Sequence, residues 1–297
     1  MKGMDGAIIL DKPRGITSFG AVRKVRKILG VRKIGHVGTL DPLGTGVLPM
    51  LVGRATRLAR FYLGHSREYV AKIRFGWATS TYDAEGEVIG DRREVEVDAS
   101  ELESLLERFT GQGMQAPPPV SAKKVKGVRA YKLAREQRPV KLKPVEVEIE
   151  ELELLDAGGA CARVRCLCSA GTYIRSLAHD LGRELECGAH VAELRRTVVG
   201  EFDAEDAVSL EELKGLQEEG RLEDAVLPPA DLLPEIPVQY VDERVAGRIR
   251  FGRDFRVNPF GAAADARLVK AVGPDGRLIC MGKAVSPRLF HPFLVFE

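Results

Sequence analysis

The spacing of apolar positions changes several times along the chain, and each change marks an element. Residues 6–10 form a continuous apolar run closed by Asp11-Lys12-Pro13-Arg14-Gly15, which predicts a short strand ending in a turn. From Phe19 the spacing becomes helical. Phe19, Val22, Val25, Ile28 and Leu29 share one side, and Arg23, Lys24 and Lys27 share the other. Thr17 and Ser18 can cap this helix and Gly30 can stop it, so residues 19–29 are predicted to dock one face and show cations on the other.

Residues 31–49 lose all periodicity and carry Gly35, Gly38, Gly44 and Gly46. Strand-like patterns follow at 69–76 and 95–97, with a turn at Asp83-Ala84-Glu85-Gly86. Leu102, Leu105, Leu106 and Phe109 predict a helix over 101–109, after which Pro117, Pro118 and Pro119 break regularity. Residues 145–155 and 162–169 read as paired strands around Ala157-Gly158-Gly159. A helix over 172–186 rests on Ile174, Leu177, Ala178, Leu181 and Leu185, and a shorter one lies near 210–216. Pro228, Pro229, Pro234 and Pro237 mark a boundary between a large unit, 1–235, and a small β-rich unit, 238–297.

Composition narrows the class. With 297 residues, 44% hydrophobic and 30% charged, the chain is long enough for one large core and an appended one. No stretch approaches the roughly 18 apolar residues needed to cross a bilayer. The apolar run near the N-terminus is too short for a secretory signal, so a cytoplasmic location is expected. Cys161, Cys166, Cys168, Cys187 and Cys280 are an odd, scattered set that suggests reduced thiols. Cys166 and Cys168 fall on one side of their strand. Buried structural thiols are the plain reading and zinc the sharper one, with no metal site predicted.

The net charge of +2 hides two opposite regions. Residues 121–143 hold nine Lys or Arg against Glu136, whereas residues 201–224 hold ten acids against Lys214 and Arg221. A basic run is often only a solvated face, so charge by itself permits nucleic acid without requiring it.

The unusual chemistry lies in residues 35–49. Glycines allow tight turns there, and Pro42 restricts Asp41 to extended geometry, so a carboxylate is presented on a loop. An Asp-Pro pair commonly caps a turn, and the Gly-Lys-Ser/Thr ending of a phosphate-binding loop is absent. His36 read alone is a hydrogen-bonded structural histidine. Tyr69 read alone is a packed strand tyrosine. Arg175 sits in a helical first turn, where the amide dipoles favour acids, and such local violations gather at functional sites.

Gly35-His36-x-Gly38-Thr39-Leu40-Asp41-Pro42-x-x-Thr45-Gly46-x-Leu48-Pro49 resembles the catalytic signature of TruB-type pseudouridine synthases. Further blocks follow in order: Lys12-Pro13-x-Gly15-x-Thr17-Ser18, Arg67-Glu68-Tyr69, and Thr81 to Gly86. Pro117 to Tyr131, Gly171 to Leu177 and Gly188 to Thr197 complete the set. Met114 and Val120 depart from the family's usual residues.

The resemblance implies an α+β pseudouridine synthase fold, with a central mixed, largely antiparallel sheet and a small C-terminal β-rich, PUA-like RNA-binding domain. It implies isomerisation of a uridine in the T-loop of transfer RNA, with Asp41 as nucleophile, Arg175 paired to it, and Tyr69 against the flipped base. His36, Lys12, Tyr173, Leu194, Asp83, Lys124 and Arg129 fall at substrate-binding positions. The basic segment would clasp the T-arm and order upon RNA. Such an isomerisation needs neither redox change nor group donor, so no cofactor is expected. A monomer needing no protein partner is expected too. A guide-RNA-dependent synthase and a non-catalytic RNA-binding protein are the alternatives.

Overall fold

The structure, a computed structural model, describes residues 4–120, 142–258, 260–261 and 263–296, with the backbone of 124–125 and 128–129. In chain order it begins with β1 (Gly6–Lys12), α1 (Ser18–Leu29), β2 (Ile34–His36) and β3 (Thr45–Val52). A 3₁₀ stretch, Gly53–Gly64, leads to β4 (Arg67–Phe75), β5 (Ala78–Thr79), β6 (Val88–Ile89), α2 (Ala99–Phe109) and β7 (Gly111–Gln115). Then come β8 (Lys124–Val125), β9 (Val128–Arg129), β10 (Val145–Gly158), β11 (Cys161–Cys168), α3 (Ile174–Glu184), β12 (Ala189–Val199), β13 (Phe202–Asp203) and α4 (Leu210–Glu218). The last part holds β14 (Val238–Tyr240), α5 (Glu243–Arg250), β15 (Phe255–Arg256), β16 (Leu268–Val272), β17 (Leu278–Ser286) and β18 (Leu289–Val295).

The main sheet runs β1-β3-β12-β4-β11-β10-β7, with β2 beside β3 and β13 beside β12. Its pairings are antiparallel except the short β12–β3 contact, where Arg195 and Arg196 face Thr45 and Gly46. In β4 the alternation is complete: Arg67, Tyr69, Ala71, Ile73 and Phe75 are buried, and the residues between them are half-exposed. With Ala162, Val164, Cys166 and Cys168 of β11 they form a face covered by α2 and α3 through Leu102, Leu105, Leu106, Leu177 and Leu181. Burying each large aliphatic side chain here contributes about 1.5–3 kcal/mol. On the other flank, β1 and β3 are buried on both faces, with α1 packed against Ile8, Leu10 and Leu48.

Local signals explain the helix ends. Thr17 Oγ1 accepts from Gly20 N at 2.9 Å, and Gly30 closes α1 in the left-handed region at φ 65°. Asp98 caps α2, its side chain accepting from Glu101 N at 2.8 Å. The helix expected over 172–186 is shorter, Ile174–Glu184, and Glu186 turns the chain out with φ 51°. Residues 95–97 are extended but form no strand. Val95 and Val97 pack on the core, and Val97 N donates to Gly159 O without a ladder around it.

The second sheet has the order β14-β16-β17-β18-β15, parallel at β14–β16 and antiparallel elsewhere. One face packs on α5 through Ile249, Phe255, Val269 and Phe290. Its other side, with Leu278, Met281, Leu294 and Phe296, joins Leu51, Leu58, Tyr62 and Phe202 in one apolar cluster shared with the main sheet. Buried Lys270 donates to Ala230 O and Leu232 O at 2.9 and 2.7 Å, tying the proline-rich link to β16. Among the described residues no helix is long and apolar enough to cross a membrane.

Candidate active site

Asp41 sits where the chain leaves α1 and β2 and has not yet entered β3. Its loop is fixed on every side. Ser18 Oγ donates to Leu40 O and accepts from Leu40 N, both at 2.8 Å. Gly44 N donates to Asp41 O at 3.0 Å, and Gly15 N donates to Pro42 O at 2.8 Å. Leu40 and Leu43 are buried in the core below, so the loop is anchored by apolar side chains flanking the carboxylate. Gly46 has φ 95° and its α-carbon faces Arg196 O so closely that any β-carbon would collide with that carbonyl.

Across the cavity, Arg175 projects from the first turn of α3 and is 4% exposed. Its Nε lies 2.9 Å from Asp41 Oδ2, and its Nη1 lies 3.3 Å from Asp83 Oδ2 and 3.0 Å from Thr81 O. Nη2 donates to Val120 O at 3.0 Å. The Asp41 contact is an ion pair whose N–H is not aligned as a hydrogen bond, so the charge is held without committing a lone pair. Asp83 is itself buried, and its other oxygen accepts from Thr81 Oγ1 at 2.5 Å and Glu85 N at 3.1 Å. One guanidinium therefore joins two carboxylates, only one of which, Asp41, is substantially exposed.

A cavity of about 280 Å³ opens over Asp41, walled by Tyr69, Leu194, Thr172, Tyr173 and Arg67. Tyr69 is buried, and burial raises its hydroxyl's pKa while the nearby Arg196 guanidinium opposes the rise. Gln115 receives Tyr173 N on its oxygen at 2.8 Å and donates to Tyr173 O at 3.1 Å, so the start of α3 is clamped to the end of β7. Ser176 Oγ adds a bond to Ala116 O at 2.7 Å. A second groove, lined by Arg14, Lys72, Arg163 and Arg195, continues from the cavity at Leu194.

Of the residues singled out from the sequence, Asp41, Tyr69, Tyr173, Arg175 and Leu194 line this one cavity. Asp83 lies behind it, under Arg175. Lys12 lies under the loop. It is wholly buried and spends its Nζ on Pro13 O, Ile16 O and, more weakly, Pro42 O, so it holds the Asp41 loop from below. Burial lowers its pKa to about 8 although Asp41 pulls the other way. His36 also stays outside the cavity, on β2. Burial and then Arg196 lower its pKa, while a hydrogen bond to the Gly38 backbone opposes the fall. Lys124 and Arg129 face each other in the β8–β9 ladder, and their side chains, like most of the basic segment, lie outside the described residues.

Sequence reasoning missed Arg67 and Arg196. Arg196 is fully buried on β12 and donates to Val47 O at 2.8 Å, Gly38 O at 3.0 Å and Thr39 O at 3.4 Å. Both arginines stand in phase with inward-facing neighbours, Arg67 with Tyr69 and Arg196 with Leu194. A cation at an apolar beat of a strand was the available signal.

The mixed, largely antiparallel sheet with its appended β-rich unit is the pseudouridine synthase fold. The chain superposes on a chain in the structure of an H/ACA ribonucleoprotein bound to a substrate RNA containing 2'-deoxyuridine, with a TM-score of 0.74 and 26% identity, covering 98% of this chain and 85% of that one. Residues 26–174 match the TruB family pseudouridylate synthase N-terminal domain, and residues 175–233 match the tRNA pseudouridylate synthase B C-terminal domain. The chain belongs to the TruB family of pseudouridylate synthases. It is 51% identical to tRNA pseudouridine synthase B of Solibacter usitatus over 98% of this chain and 100% of that protein. It is 43% identical to the protein of the same name from Aquifex aeolicus, over 84% and 86%.

Proposed function

We propose that this protein converts a uridine of transfer RNA, in the T-loop, to pseudouridine, with Asp41 as the nucleophile. The observation that carries the reading is the Arg175–Asp41 ion pair at the floor of a cavity sized for one nucleotide. The reaction breaks the bond from the sugar to N1, turns the base, joins the sugar to C5, and releases the C5 proton. Nothing is oxidised and no group is donated, so a fixed carboxylate and a pocket that holds the detached base are the essential parts. Tyr69 and Leu194 supply the apolar walls for a base taken out of its stack. Arg175 fixes the Asp41 carboxylate, and Asp83 fixes Arg175.

The relatives named tRNA pseudouridine synthase B over nearly the full chain support transfer RNA as substrate. In this reading the enzyme acts alone, as a cytoplasmic monomer. The small C-terminal sheet, residues 238–297, serves in this reading as a PUA-like RNA-binding unit attached to a catalytic unit, 1–235. The cation-lined groove beside Leu194 gives the RNA backbone a path.

The test is tritium release from a transfer RNA transcript labelled at uridine C5. Wild-type protein alone should release tritium and Asp41→Ala should not. Binding without release from either would favour a guide-dependent synthase or a plain RNA-binding protein.

A further inference from the structure

Arg67 lies on β4 two residues before Tyr69, on the same face, and lines the cavity that holds Asp41. It is 9% exposed. A guanidinium can donate five hydrogen bonds. Among the described residues Arg67 makes one, a long 3.4 Å contact from Nη1 to His65 O, and no carboxylate forms an ion pair with it. The other buried cations around the site are all met: Lys12 by three carbonyls, Arg196 by three carbonyls, Arg175 by two carboxylates and two carbonyls.

A second cation close by makes the position of Arg67 worse. Gly38, with φ 71°, lies over both Arg67 and Arg196, and a β-carbon there would stand 3.2 Å from Arg67 Nε and Nη2 and 3.3 Å from Arg196 Nη1. Two guanidinium groups thus share the underside of the Asp41 loop, and one of them keeps open donors toward the cavity. A buried, unneutralised cation beside another is unfavourable unless an anion completes the site. An RNA strand brings one anion with every nucleotide.

We propose that Arg67 receives a phosphodiester group adjoining the nucleotide inserted over Asp41, so that the substrate itself neutralises the Arg67–Arg196 pair. This rests on the RNA-modifying reading above. The phosphate takes the open donors of Arg67, and the inserted nucleotide is anchored at its backbone as well as at its base. Arg67 in this role couples strand position to the Asp41 loop, because the same guanidinium packs beneath Gly38. The Cys168 thiol donates to Arg67 O at 3.6 Å, the main-chain carbonyl, and leaves the guanidinium to the phosphate.

The experiment pairs a protein change with a change in the RNA. Wild type, Arg67→Gln and Arg67→Lys are titrated with a T-arm stem-loop at several salt concentrations. The titration is repeated with RNAs in which one linkage flanking the target uridine is an uncharged methylphosphonate. One neutral linkage should weaken wild type by about tenfold or more. Arg67→Gln should show a similar loss on the natural RNA, no further loss with that linkage, and a salt slope lower by about 0.7. Arg67→Lys should recover the slope. Additive losses, or an unchanged slope in Arg67→Gln, would overturn the proposal. If Arg67→Gln does not fold, wild type decides: affinity indifferent to every flanking methylphosphonate rejects the assignment. Tritium release by wild type is followed on the natural RNA, so release without coupling rejects Arg67 alone. Coupling without release rejects the isomerase reading and keeps the phosphate contact.

Discussion

The Asp41 loop and the seam between the two sheets are both buried junctions, and they are held by opposite means. The loop is fixed by directional polar contacts: Ser18 on Leu40, Lys12 on the carbonyls beside it, Arg175 on Asp41 and Asp83. The seam is fixed mostly by area, with Leu51, Leu58, Tyr62 and Phe202 against Met281, Leu294 and Phe296, and with polar ties from Lys270 and from Arg57 to Val295 O. Apolar contact is non-directional and tolerates small shifts, whereas a nucleophile must be placed to a fraction of an ångström. The difference teaches that the molecule spends its polar groups where position matters and its apolar area where only attachment does.

The comparison breaks most visibly at the carboxylate. Asp41→Ala should abolish turnover while RNA affinity stays within about tenfold, because the group acts on chemistry more than on binding. Tritium release and equilibrium binding on the same preparation decide it, and retained turnover would end the mechanism. The seam should respond in the reverse sense. Leu58→Ala should cost about 2–5 kcal/mol of stability by urea unfolding, with the rate per folded molecule nearly unchanged.

Arg175→Lys sharpens the contrast. The ammonium is a single point charge and cannot reach Asp41, Asp83, Thr81 O and Val120 O together. Turnover should fall by at least about a hundredfold through misplacement of the carboxylate. An undiminished rate would show that charge alone suffices there.

The smallest effect is a pH dependence at Lys12. The unfolded chain keeps this proton up to pH 10.5, while the folded protein releases it near about 8. Between these values unfolding takes up a proton, so this group's contribution to stability rises with pH across the window. The Tm difference between wild type and Lys12→Met should therefore move in favour of wild type from pH 8 to 10.5. A flat difference would mean that burial does not depress this lysine.

Much of the fold was legible because one physical signal dominated each element. The period of α1, its threonine cap and its glycine stop all agreed, as did the alternation of β11 that puts Cys166 and Cys168 on one buried side. Residues 95–97 misled for an instructive reason. Alternating Val and Glu report that one side is covered, and Val95 and Val97 are indeed packed, but alternation says nothing about a hydrogen-bonding neighbour. β12 passed unread as a strand, since His190, Glu193, Arg195 and Arg196 interrupt its apolar beat with groups whose partners come from Trp77, Lys72, Asp11 and the Asp41 loop. Lys12 was legible as a motif position but not as a buried clamp. Its three carbonyl partners are set by how two loops meet, which no local pattern encodes.

The pairing of Gln115 with Val145 has a consequence for how the chain can be lengthened or shortened. The excursion between them leaves and returns at facing rungs of one antiparallel ladder, where opposed α-carbons stand about 5 Å apart. Insertion and deletion there leave the register of every other strand untouched, and doubling the length adds only about 0.6 kcal/mol of closure entropy. The fold thus carries a graft point beyond Val120, where engineers can exchange segments while Ala116 and Val120 keep their bonds to Ser176 and Arg175 and the sheet beneath keeps its alignment.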